Sequence, residues 1–440
     1  MSKRMNRREF LKLAGGTAGA IALSACAPKA TEAPAEQKPA QPASPGEEVT
    51  LEFWTFNDYA VGKALELFET FIAEFEEANP GTKVNITGKP GEDIRTGLIT
   101  GAGAGELPDV VQIQMGTGGD LIETGAIADV RTYWDEQSDE FRNQFNQDWM
   151  ALLLKEGHCW GLPFTAYATI LYRNLKVLKD AGIDPDAGVA DWEDFASQAK
   201  TVKEMGPWGL AKILGSDWIH KHWYGGVTGA DKSCIAPDGK STTMEADKYA
   251  TLFEYLVGLQ PYTAEPFMFD TATTDLFVTN QMAFVSMGPW LAPTLEEAKA
   301  ESGLEYDAVL IPGMTAQDKG GVKGGEFTPV MPGPNLEMAW KWSAYVSDAP
   351  QTSRFASELG RFLANDKALQ DPAVQENWLV QLTAEAFTMA MAEGPFMLKV
   401  ASGWGQPETD YGTLVADGSM EPQEAAEKMI QEINEILAEG

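Results

Sequence analysis

The chain has 440 residues, 44% of them hydrophobic and 22% charged. That length exceeds one ordinary core and fits two lobes of roughly 100–200 residues each. The composition excludes wholesale disorder, collagen and coiled coil. With 33 basic against 65 acidic residues, net −32, the chain repels nucleic acid and anionic lipid, so both are excluded as expected partners.

The first residues read as an address. Lys3, Arg4, Arg7, Arg8 and Lys12 form a basic start, and Leu11 to Leu23 is a short apolar stretch interrupted by Gly15, Gly16 and Gly19. It is too short to span a bilayer. Arg7-Arg8-Glu9-Phe10-Leu11-Lys12 resembles the twin-arginine export motif, with Asn6 where a Ser or Thr is usual. Leu23-Ser24-Ala25-Cys26 resembles a bacterial lipoprotein box. The expectation is a signal peptide over 1–25, a lipidated Cys26, and a tether over 26–48 that carries five prolines from Pro28 to Pro45. Such a chain is held by lipid at the outer face of the cytoplasmic membrane. Outside the cytoplasm, Cys159 and Cys234 either pair as a disulfide or stay as two thiols.

Val49 to Trp54 alternates and predicts a strand. Leu65, Phe68, Phe71, Ile72 and Phe75 recur at helical spacing, and Asn79-Pro80-Gly81 stops that helix. Lys83 to Thr87 predicts a second strand, Asp93 to Gly101 a helix, and Leu107 to Gln114 a third strand. Strand and helix alternate, so the sheets are expected to be mostly parallel with helices on both faces. Thr169 to Tyr172, Met282 to Met287 and Asp307 to Pro312 read as later strands. Asp191 reads as the N-cap of a helix running through Val202. The Gly- and Pro-rich stretch 313–335 reads as loops, and the chain beyond 336 as helical, ending in a helix from Pro422.

These pieces, taken in order, resemble the bacterial extracellular solute-binding proteins of ABC importers, in the carbohydrate-binding family that includes maltose-binding protein. The resemblance covers nearly all of 49–440. It is carried by Leu51-Glu-Phe-Trp54 through Asn79-Pro-Gly81, Leu107-Pro-Asp-Val-Val111 with Gly125-Ala-Ile-Ala-Asp129, and Gly161-Leu-Pro163 through Asp191-Trp-Glu193. Phe277 to Trp290 and Met420 to Ala425 complete it. The resemblance implies an α/β fold of two lobes with the ligand in the cleft between them. It places one lobe over 49–165 plus about 325–380, and the other over 166–324 plus about 381–440. The first crossing falls near Thr165–Tyr167 and the second near Gly324–Glu326. The third lies within 350–385.

Sugars present hydroxyls and apolar C–H faces, so a site needs flat aromatic platforms beside paired polar groups. By resemblance, Trp290, Trp218 and Trp404 match stacking aromatics, with Trp223 the second choice after Trp218. Trp54, Asn57 and Asp58 lie at the end of the first strand and in the loop after it. One of Gln112 and Gln114 should face the cleft, and Gln114 is preferred. Tyr167 and Glu326 fall at the first two crossings and are expected to reach the ligand. His220 and His222 lack zinc-type spacing, so no metal is expected. Asp180, Asp184, Asp186 and Asp191 lack the spacing of a calcium loop. No cofactor and no catalytic residue are expected.

The resulting expectation is a monomeric, non-enzymatic lipoprotein that hands a carbohydrate to a membrane permease with separate ATPase subunits. The chain itself has no phosphate-binding GxxxxGK[ST] loop. A surface glycosidase using two carboxylates is the alternative from another class; HExxH and GxSxG hydrolase motifs are absent. The same fold with a peptide or polyamine ligand is the third reading.

Overall fold

The computed structural model describes residues 48–228, 233–267, 271–394 and 403–439. The signal segment, Cys26 and all of the tether before residue 48 lie outside the described residues. In chain order the strands are β1 (Val49–Phe56), β2 (Thr82–Lys89), β3 (Val110–Val111), β4 (Ile113–Gln114), β5 (Leu162–Ala168), β6 (Ile170–Asn174) and β7 (Trp208–Lys212). They continue with β8 (Thr263–Phe267), β9 (Met282–Met287), β10 (Tyr306–Val309), β11 (Val322–Thr328), β12 (Phe362–Leu363) and β13 (Met391–Ala392).

Local chemistry sets the first unit. β1 turns Leu51, Phe53 and Thr55 inward. The helix Gly62–Ala78 buries Ala64, Leu67, Phe68, Phe71 and Phe75 on one stripe. It stops where Asn79 donates its side-chain amide to the Phe75 carbonyl at 2.8 Å, and Gly81 then takes a φ of +90° that a side chain would resist. The chain returns as β2, parallel to β1.

The strand expected over Leu107–Gln114 is two pieces in two sheets. β3 pairs parallel with β1, and β4 pairs antiparallel with β11. Gln112 stands between them and donates its backbone N–H to the Trp54 carbonyl at 2.8 Å. The expectation of mostly parallel sheets holds for β2-β1-β3 only. The sheet β10-β6-β9-β7-β8 is antiparallel through its first three strands and parallel through the rest. The sheet β12-β5-β11-β13 is also mixed. Only Thr169 separates β5 from β6, and the two strands join different sheets.

Two hydrophobic clusters define two lobes. One gathers Phe53, Phe68, Phe164, Trp342 and Phe355. The other gathers Tyr172, Phe195, Trp223, Phe253 and Phe284. β5 contributes Leu162, Phe164 and Ala166 to the first and Ala168 to the second. β11 likewise gives Phe327 to the first, and its residue Val322 is also buried. The helix Trp378–Met389 gives Val380 to the first cluster and Leu379 and Ala386 to the second. Two strands and one helix therefore span the junction.

Cys159 and Cys234 are both free and buried, one in each core. The Cys159 thiol faces the Gly161 carbonyl at 3.7 Å, and the Cys234 thiol faces the Met391 sulfur at 3.8 Å. The disulfide considered from sequence is not formed, because the fold assigns the two residues to separate lobes.

Candidate functional site

Between the lobes lies a cavity of about 210 Å³ whose walls come from both. The first lobe supplies Gln114 and Thr117, the crossing strands supply Tyr167, Gly324 and Gly325, and the second lobe supplies Glu393 and Trp404. Gln114 ends β4 with its side chain exposed, whereas Gln112 is fully buried. The break between β3 and β4 at Gln112 separates them, since an unbroken strand would put residues 112 and 114 on one face.

The two glycines of β11 are a steric necessity. A Cβ on Gly324 would stand 2.3 Å from the Tyr167 hydroxyl oxygen. A Cβ on Gly325 would stand 1.6 Å from the Trp149 ring. Their bare backbone lets both rings lie across the strand. Tyr167 in turn meets Trp290 edge to face, with ring centroids 5.4 Å apart. Trp290 meets Trp218 at 6.0 Å. The half-buried Trp290 and Trp218 thus extend the aromatic surface that begins at Tyr167 on the cavity wall.

Glu326 points away from the cavity into a buried polar network. Its Oε2 accepts from Thr165 Oγ1 at 2.5 Å, Gln112 Nε2 at 2.5 Å and the Tyr59 hydroxyl at 3.1 Å. Burial pushes its pKa up, and the Thr165 hydrogen bond and the nearby Arg361 charge pull the other way. Arg361 lies over the Tyr59 ring at 4.3 Å and is paired with Asp58. This corrects two sequence expectations. Glu326 organises the crossing rather than lining the cavity, and Asp58 is committed to a buried guanidinium.

Trp54 is also set differently. It packs against Gly97 of the helix Gly91–Ala104, and the Lys89 ammonium lies 4.2 Å from its ring. Asn57 is exposed; neither it nor Trp54 lines the cavity. Trp223 is a core residue with no exposure, packed on Phe195 at 4.8 Å and Tyr255 at 6.2 Å. It lies five positions from Trp218 on the helix Asp217–Thr228, which turns it to the opposite face. His220 and His222 are fully buried, and burial lowers both to a pKa of about 3. Among the described residues no group of three or more His, Cys, Asp or Glu side chains is placed to hold a metal ion.

A charged cluster that sequence reasoning missed backs the cavity wall. Lys221 is fully buried, with its Nζ 2.9 Å from Glu408, 3.4 Å from Asp217 and 3.5 Å from Glu393. The same ammonium lies 4.2 Å from the Trp404 ring centroid. Burial opposes its charge, yet Glu408, Asp217 and Glu393 outweigh that and hold it well above the usual lysine range. Burial raises Glu408 to about 7 against the pull of Lys221, and Tyr249 donates to its other oxygen at 2.6 Å. Asp217 and Lys221 are four apart on one helix, but Glu393 and Glu408 come from far along the chain, so local spacing announces only one of the three pairs. The cavity residues Lys323 and Glu393 were missed for the same reason.

Two α/β lobes joined by two strands and a helix, with a polar and aromatic cavity between them, define a periplasmic-binding-protein fold. The chain belongs to the bacterial extracellular solute-binding protein family, whose signature matches residues 70–382. It is 25% identical over 399 residues to the maltodextrin-binding protein MdxE of Bacillus subtilis (strain 168), covering 85% of this chain and 88% of MdxE. Its fold is similar to that of the GacH receptor of Streptomyces glaucescens GLA.O, solved unliganded and with acarbose, at a TM-score of 0.76 and 18% identity. That match covers 89% of this chain and 98% of the receptor. A maltose/maltodextrin-binding domain, MalE from Bdellovibrio bacteriovorus bound to maltotriose, matches at a TM-score of 0.73 and 18% identity over 88% of this chain and 99% of the domain.

Proposed function

We propose that this protein captures a carbohydrate, in oligosaccharide form, in the interlobe cavity and delivers it to the permease of an ABC importer. The observation that carries the reading is the aromatic wall. Trp404 and Tyr167 line the cavity, and Trp290 and Trp218 continue from Tyr167. Flat rings of this kind suit sugar C–H faces, and Gln114 and Glu393 supply the amide and carboxylate that hydroxyls require. MdxE, GacH and MalE, by their names and bound ligands, support the same class.

The ligand closes the lobes over itself by bending β5, β11 and the helix Trp378–Met389, on the lobe division expected from sequence. The protein converts nothing; it acts as a monomer, with its permease and ATPase as separate chains. The twin-arginine-like start and Cys26 support the reading of a lipoprotein on the outer face of the cytoplasmic membrane. The test is a titration of residues 27–440 against mono- and oligosaccharides, with a parallel assay for product. The described residues from 48 onward hold both cores whole. Saturable binding without product is the expected result. Product release would instead favour a glycosidase.

A further inference from the structure

We propose that Lys221 is a positioning residue for the ligand cavity: its buried ammonium fixes the Trp404 indole and the Glu393 carboxylate in the cavity wall without touching the ligand. The inference rests on the carbohydrate reading for its purpose, and on the geometry alone for its mechanism.

Trp404 is partly buried against the edge of the second core. It is flanked by Gly403, at a φ of +82°, and by Gly405. Glycine is the residue type with the fewest backbone restrictions. The indole is only partly buried, and it forms a shared wall between the interlobe cavity and a neighbouring one of about 290 Å³. Lys221 lines the neighbouring cavity and not the interlobe one. It therefore supports the ring from the side away from the proposed ligand. A cation at 4.2 Å from the ring centroid is within the range of attraction to an indole face.

The same ammonium is anchored on both helices that converge there. Asp217 opens the helix Asp217–Thr228, and Glu408 lies in the first turn of the helix Gln406–Ala416. Asp217 donates its backbone N–H to Thr409 at 3.2 Å, which ties the two helix starts together. A Cβ on Gly405 would come within 2.5 Å of the Asp217 carboxylate. Glycine at 405 leaves room for the Asp217 carboxylate beside the Trp404 backbone. Glu393 is the third partner, and it is the one that also faces the interlobe cavity. A buried ammonium with one partner would be costly; with three carboxylates and a ring it becomes a rigid post. It transmits the packing of the second lobe to two cavity residues.

The test uses residues 27–440 with the substitution Lys221→Met, which keeps the stem and removes the charge. The first readout needs no ligand. The indole N–H resonance of Trp404, assigned by its disappearance in Trp404→Phe, is followed by NMR. The proposal expects it to shift and broaden in Lys221→Met while the other indole resonances hold. Lys221→Arg, which keeps the charge, is expected to restore it. An unchanged Trp404 resonance overturns the proposal. The second readout is maltotriose affinity in a double-mutant cycle with Trp404→Ala. Lys221→Met is expected to weaken binding about tenfold in the parent and to have much less effect once Trp404 is gone. Equal losses in both backgrounds would show a general structural role and overturn it. Should Lys221→Met fail to fold, the pair Lys221→Met with Glu408→Gln removes the stranded buried charge and is read the same way. If the parent binds no sugar while the Trp404 resonance responds as expected, the positioning role stands and the carbohydrate reading falls.

Discussion

Glu326 of β11 accepts a hydrogen bond from Gln112, 214 positions earlier in the chain, at 2.5 Å. Thr165 of β5 donates to the same oxygen. One carboxylate thereby links the segment between β3 and β4 to both crossing strands. Replacing it with alanine removes the acceptor of the Gln112 amide and the Thr165 hydroxyl, and leaves Asp58 as the carboxylate paired with Arg361. Glu326→Ala is expected to lower unfolding free energy by about 3 kcal/mol or more, read from the urea midpoint. An unchanged midpoint would mean that the network contributes nothing to holding the junction.

Gln114 and Trp223 should separate binding from stability. Gln114 lines the cavity with an exposed side chain. Gln114→Ala is expected to weaken sugar binding about tenfold while changing stability by less than about 0.5 kcal/mol. Trp223 is fully buried. Trp223→Ala should cost about 3–5 kcal/mol in stability. Affinity, measured where the variant remains folded, should be close to that of the parent. The reverse pattern would place the ligand elsewhere.

Gly325→Ala puts a methyl group where the Trp149 ring lies. An indole cannot swing aside as a lysine tip can. The expected loss is about 1–3 kcal/mol, and the Trp149–Phe387 contact at 6.1 Å across the junction should be disturbed with it. Denaturant unfolding measures the first, and the near-ultraviolet circular dichroism of the aromatics reads the second.

Glu408 gives the stability a pH dependence of definite sign. Its folded pKa is raised from the usual 4.5 to about 7. In that interval the folded chain keeps a proton that the unfolded chain has lost. The resulting stabilisation is complete below the unfolded value and is lost as pH rises through the folded one. Relative to Glu408→Gln, the parent should lose up to about 3 kcal/mol between acid and neutral pH, with no further change above. Urea midpoints of both proteins across that interval test this. Parallel profiles would show that Glu408 does not titrate there.

Much of the framework was legible because it is written locally. The first strand and helix announce themselves by a period of two and then of 3.6, and Asn79 to Gly81 end the helix with their own chemistry. Gln112 and Gln114 drew notice because they end a strand, where ligands of α/β sheets bind; the chain break that separates the two is not visible in the sequence. What escaped depended on partners far along the chain. Asp58 looked free until Arg361 was beside it, and Lys221 looked like one lysine on an aromatic helix until Glu393 and Glu408 closed around it. Trp223 was misassigned for a different reason. An aromatic cluster was read as one surface, although helical geometry turns residues 218 and 223 to opposite faces. The mixed sheets followed from the single-residue passage between β5 and β6, which no periodicity reveals.

The most direct test of the central claim is titration of residues 27–440 with a panel of mono- and oligosaccharides, followed by tryptophan fluorescence and thermal stability. The account predicts saturable binding of at least one oligosaccharide, without conversion. At 100 times the dissociation constant that ligand should add about 2.7 kcal/mol to the stability of the folded state. A folded protein that responds to no sugar in the panel would contradict the account and direct the search to a ligand of another class.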